Sequence, residues 1–143
     1  MTSAVTNCSN STPERPTPVA LAREDRIDDA IEAIFLRCGY REIELQLAII
    51  FEKEWAVITL VKELLEENEI DKASAIAVTH LCGDKQAEVL HDGSIYVASK
   101  GNFQKANEMA RKISTETDRT YFFRCDAIQR IDRYYEDSAL WLT

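Results

Sequence analysis

The side chains in this chain that could carry chemistry are few and do not assemble into a set. The two histidines, His80 and His91, fall in separate predicted helices and form no HExxH pair. As isolated residues they read as packing or surface histidines rather than metal ligands. The acidic pairs Asp28-Asp29 and Glu66-Glu67, with Glu42 and Glu44, could serve acid–base work if a cleft held them. Placed along amphipathic segments, they read instead as solvated helix faces. Cys8, Cys38, Cys82 and Cys125 never come within two or three residues of one another, so zinc and redox motifs are absent. No GxGxxG, phosphate loop or GxSxG occurs. The expectation is a protein that is not an enzyme and takes no cofactor or metal.

The richest local group is aromatic and basic: Tyr121, Phe122, Phe123, Arg124, Arg130, Arg133, Tyr134 and Tyr135. Its plain reading is core plus solvated arginines on a last helix. Its functional reading is a partner-binding face with Tyr121 and Arg130 as anchors, since Tyr and Arg are favoured at energetic centres of interfaces.

Charge narrows the partners. The net charge is −8, which argues against nucleic-acid phosphate. From Glu24 to Asp71 there are 14 acidic and 5 basic residues, 5 − 14 = −9, and from Lys72 to Thr143 there are 10 of each. The first half therefore carries the field, either as a solvated face or as a surface for a basic partner. No stretch approaches the roughly 20 apolar residues of a membrane helix. Residues 1–20 hold no apolar run of signal-peptide length, so the two asparagine sequons there carry little weight. Free thiols, a reducing compartment and a cytoplasmic location are expected.

The elements that would position these groups are helices. The chain has 143 residues, enough for one domain, and only 4 Gly and 3 Pro, with every proline before residue 20. That scarcity of turn formers favours helices over a many-stranded fold. Residues 1–22, rich in Ser, Thr, Asn and Pro, read as a disordered tail, and residues 23–143 as one domain. Ile27, Ala30, Ile31 and Ile34 predict a first helix ending at Gly39. Tyr40–Asn68 is ambiguous at its start: Ile43, Leu45, Leu47 and Ile49 alternate like a strand. Ile43, Leu47, Ile50 and Phe51 make a helical stripe, and the composition favours helix. A break is expected near Glu52–Glu54, then a helix buried through Val57, Leu60, Val61 and Leu64. Asp71 is the expected N-cap of a helix from Lys72 to Leu81, closed by Cys82-Gly83-Asp84. Gln86–Lys100 and Phe103–Thr115 come next as an αα-hairpin about Gly101-Asn102. The rival reading has a β-hairpin over 87–98, in a small α+β domain. A last helix starts near Thr120, with Ala139–Leu142 docking as a cap.

About seven helices result, in stacked antiparallel hairpins of an all-α domain. A period is visible: Ala73 and Ala106 lie 33 residues apart, each after a polar turn, and Ile43 holds the same place 30 residues earlier. Leu90, Gly93, Ser94 and Val97, then Gly101, Phe103, Ala106 and Ala110, resemble a tetratricopeptide-repeat unit. Glu54–Gly83 resembles one through Val57, Leu60, Leu64, Ala73 and Ala77, and Glu24–Lys53 through Ile27, Ala30, Ile31, Ile34 and Leu47. The tryptophan-like position is filled by Leu90 or Val57, and the family's terminal proline is absent.

The resemblance implies a groove lined by the exposed faces of first helices. Carried onto this chain, it gives Glu88, His91, Ile95, Ala98 and Ser99, with Ile58, Lys62 and Leu65 from the unit before. The expected function is a protein-interaction module, adaptor or chaperone-like, holding a peptide or partner helix. The alternative is an acidic inhibitor, immunity or nucleic-acid-mimic protein that blocks a basic site. Either reading takes another protein as partner, with no membrane and no direct nucleic-acid contact, and leaves room for a homo-oligomer.

Overall fold

The computed structural model of the chain describes residues 15–142, with side chains to residue 140. Among the described residues there are seven helices and no strand. They are α1 (Pro18–Arg23), α2 (Ile27–Arg37), α3 (Glu42–Glu66), α4 (Ile70–His80), α5 (Gly83–Ser99), α6 (Phe103–Ala110) and α7 (Asp118–Leu142). The protein is all-α, and no β-hairpin forms over 87–98. Each helix packs on the next, and α1 also meets α3, α3 meets α5, α4 meets α6 and α5 meets α7. None of the described helices is long and apolar enough to cross a membrane.

Helix α1 corrects the expected tail boundary. Pro18–Ala22 belong to a capped helix: Thr17 Oγ1 accepts the Ala20 N–H at 3.1 Å, and proline occupies the first turn, where its missing N–H does no harm. Val19, Leu21 and Ala22 are buried, and α1 lies on α2 and α3. The rest of the expected tail, residues 1–14, lies outside the described residues.

The ambiguous stretch is helical and runs on into the second half of α3 without a loop. Its start is set by Glu44, whose carboxylate accepts the Arg41 N–H at 3.0 Å, one half of a capping box. That hydrogen bond, then the Arg41 side chain, holds the Glu44 carboxyl below its ordinary range. The expected break is a kink inside one helix: Glu52 leaves helical geometry at φ −128°, ψ 21°. No proline or glycine stands there. Glu52 instead accepts the Tyr40 hydroxyl at 2.7 Å, which ties the kink to the preceding turn. The stripe that argued for a helix is not the buried one. Leu45 and Ala48 face the core, whereas Ile43, Leu47, Ile50 and Phe51 are 79%, 61%, 67% and 78% exposed.

Connections differ from the expected ones where a side chain replaces backbone. Helix α4 begins at Ile70, so Asp71 is not its cap. Asp71 sits in the first turn, where the helix dipole favours an acid, and accepts Lys105 of α6 at 2.8 and 2.9 Å. Gly83 opens α5 instead of closing α4. Such a short connection is feasible because Gln86 Nε2 donates to the carbonyls of Leu81 (2.6 Å) and Val78 (2.9 Å), satisfying the end of α4. Gly101, at φ +92°, makes the left-handed turn that the α5–α6 hairpin requires, and Asn102 Oδ1 caps α6 through the Lys105 N–H. Helix α6 stops at Ala110, earlier than expected. Thr117 then caps α7 by accepting the Thr120 N–H at 3.1 Å. At the far end Leu140 is 72% exposed, and the side chains of Trp141 and Leu142, which the expected cap needs, lie outside those described.

Candidate functional site

Helices α3 and α5 run side by side after the kink, and what separates them is small. Gly93 faces Leu65 and Met109 so closely that a Cβ there would lie 3.1 Å from Leu65 Cδ1 and 2.9 Å from Met109 Cε. Beside this close approach the two helices part to leave a cavity of 320 Å³. Ile58, Val61, Lys62, Leu65 and Glu66 line it from α3; Glu88, Val89, Asp92, Gly93 and Tyr96 line it from α5. The floor is aliphatic. The rim is acidic on both sides, with Lys62 the one cation among the lining residues. An apolar side chain with a basic neighbour fits that distribution.

Four predicted site residues therefore meet here: Ile58, Lys62, Leu65 and Glu88. His91 and Ile95 do not line this cavity; they lie on the side of α5 turned to α7. Predicted Ala98 is buried and so cannot line a groove, and Ser99 is exposed. Asp92 and Tyr96, by contrast, were missed. They stand four and eight residues after Glu88, so extending that face in whole helical turns would have found them.

His91 anchors a hydrogen-bonded line between α5 and α7. Its Nδ1 is 2.8 Å from Asp92 Oδ1 and its Nε2 2.7 Å from Asp126 Oδ2. Arg130 Nε donates to the same Asp126 oxygen at 2.8 Å, and the Phe123 ring meets the imidazole edge-on at 5.4 Å. The line starts at a wall of the first cavity, Asp92, and ends at a second of 270 Å³, lined by Ile95, Arg130, Arg133, Tyr134 and Asp137. Tyr121 reaches neither cavity. It is exposed near the start of α7, its hydroxyl hydrogen-bonded to Cys125, which pushes the phenol up.

The His91 hydrogen bond, and then Arg130, hold the Asp126 carboxyl below the usual carboxylate range. A folded value below the unfolded one, about 3.9, means stability that is present above the unfolded value. It is lost as pH falls through the folded value. His91 and Asp126 side chains are only 13% and 23% exposed. Asp126→Asn should therefore cost about 1–3 kcal/mol at neutral pH, as for a hydrogen-bonded charge removed from partly buried partners. Urea unfolding across pH checks this: the wild-type and variant stabilities should converge on acidification, and a constant gap would contradict the charge-based account.

The other chemical candidates stay apart. Among the described residues no three His, Cys, Asp or Glu side chains group as a metal site. Cys38 and Cys82 are exposed and Cys125 half-buried, all as free thiols. A larger cavity, 650 Å³, lies beside α1 and α2 and adjoins residue 15, where the described chain begins; the Arg37–Glu63 ion pair spans its wall. No family model matches this chain, and neither the curated proteins nor the solved structures give a match.

Proposed function

We propose that this protein is a non-catalytic interaction module, TPR-like in its stacked hairpins, that holds a peptide segment in the groove between α3 and α5. The observation that carries the proposal is the convergence of Ile58, Lys62 and Leu65 with Glu88, Asp92 and Tyr96 on one 320 Å³ cavity. The ligand chemistry comes from the lining: an aliphatic side chain for the floor, with a lysine or arginine beside it for Glu66, Glu88 and Asp92. An adaptor or chaperone role fits such a site. The acidic-inhibitor alternative draws less support. Asp29 and Glu67, two acids that would face a basic partner, already pair with Arg26 and Arg23. Its remaining support is Asp28, Glu32, Glu42, Glu54 and Glu66, which form no ion pair among the described residues.

Selection from a displayed random-peptide library tests the reading. The enriched sequences are expected to place an aliphatic residue next to Lys or Arg. Binding of a selected peptide should weaken about tenfold or more with Glu88→Lys or Ile58→Asp, the scale of one strong contact. Both positions are only partly buried, so helicity should be unchanged. Failure to enrich any such motif, or binding that ignores both substitutions, would remove this groove as the site.

A further inference from the structure

A second surface lies on α3 before its kink, away from the groove. Ile43, Leu47, Ile50 and Phe51 form one stripe, with the half-exposed Trp55 at its edge, where its ring leans on Phe35 at 6.0 Å. The steps of four and three from Ile43 to Leu47 to Ile50 are those of a helix–helix seam, not of a scattered surface. The opposite face of the same segment is already buried through Leu45 and Ala48, so the stripe is apolar surface beyond what the core uses. We infer that it is the contact through which two copies of this chain pair, α3 against α3, antiparallel and two-fold.

Three observations favour a second copy over a foreign partner. The first is area. Taking about 150–250 Å² for a whole large side chain, the five residues expose on the order of 600 Å² per copy. Doubled across a two-fold, that reaches the lower edge of the range for stable interfaces, about 1,200–2,000 Å². The second is shape: a stripe centred near Leu47 is its own complement when reversed, laying Ile43 of one copy by Phe51 of the other. The third is charge. Segment 41–54 carries Arg41 and Lys53 against Glu42, Glu44, Glu52 and Glu54, 2 − 4 = −2, so a parallel pairing would stack like charges. The antiparallel register instead brings Lys53 of each copy to Glu42 of the other. Neither residue has an ion pair among the described residues.

The test is the mass of the full chain in solution across a dilution series, by light scattering and sedimentation. The expected result is twice the 16.3 kDa chain mass at high concentration, falling on dilution as a lower-edge interface should. Leu47→Glu/Ile50→Glu should hold the mass at one chain. Both residues are exposed, so circular dichroism should be unchanged. Lys53→Glu should raise the dissociation constant about tenfold, and adding Glu42→Lys should restore it. A single-chain mass up to millimolar concentration would overturn the inference. So would a dimer indifferent to Leu47→Glu/Ile50→Glu, or a Lys53→Glu loss that Glu42→Lys does not recover. None of these outcomes bears on the α3–α5 groove, which lies beyond the kink.

Discussion

Phe35→Ala should lower the free energy of unfolding by about 3–5 kcal/mol, the range for a buried phenylalanine truncated to leave a cavity. Phe35 is fully buried near the end of α2. Its ring meets Tyr40 edge-on at 5.3 Å between centroids and Trp55 at 6.0 Å. The loss would therefore spread. Tyr40 donates to Glu52 at the kink, and that hydrogen bond pushes the phenol up. Trp55 stands just past the kink. Removing the ring should loosen the angle between the two halves of α3 as well as open a void. Against a typical total of 5–15 kcal/mol this is a large fraction. Urea unfolding should show a lower midpoint with little change in slope. Phe35→Leu, which keeps an aliphatic filler and loses the ring pairs, should cost only about 1 kcal/mol beyond its lost area. A loss below about 1 kcal/mol for the alanine variant would mean that the ring is not packed as described.

What could be read from the sequence was local. The α5–α6 hairpin was legible because turn chemistry and periodicity agree there: Leu90, Gly93, Ser94, Val97, Ala106, Ala110 and Ile113 are all buried. In 43–51 periodicity was ambiguous, and helix-favouring composition resolved it toward helix. Yet periodicity reports that a face is apolar, not that the core takes that face, and here the core took Leu45 and Ala48 instead. Helix α1 was hidden because the polar composition of residues 1–17 masked six residues that carry their own Thr17 cap. Of the expected α5 residues, Glu88 lines the cavity beside α3, whereas His91 and Ile95, a helical step away, lie on the side turned to α7. The His91–Asp126 contact joins residues 35 apart on different helices. No local pattern encodes it; only the packing of α5 on α7 brings the two together.

Gly93 is where packing and the proposed function meet, and its substitutions should separate them. The α5 backbone needs no special torsion there; glycine is needed for closeness. A Cβ meets the ends of two flexible side chains, Met109 at 2.9 and 3.2 Å and Leu65 at 3.1 Å, rather than backbone. For Gly93→Ala the two effects oppose. Alanine gains about 1 kcal/mol of helix propensity, and Met109, an adaptable filler, must shift by a few tenths of an ångström. The net change should be within about 1 kcal/mol, with the groove still open. Gly93→Leu has no such balance. Its added atoms either force α5 from α3 and α6, at about 1–3 kcal/mol of overpacking, or turn into the cavity that Gly93 lines. In the second case the leucine fills the place reserved for the ligand's aliphatic side chain. The expected result is a stable or mildly weakened Gly93→Ala variant that binds selected peptides like wild type. Gly93→Leu should lose that binding even where its melting curve shows it folded. Peptide titration and thermal unfolding of both variants measure the two effects separately. If Gly93→Leu keeps wild-type affinity while folded, the bound peptide does not enter the space between α3 and α5, and the groove assignment fails with it.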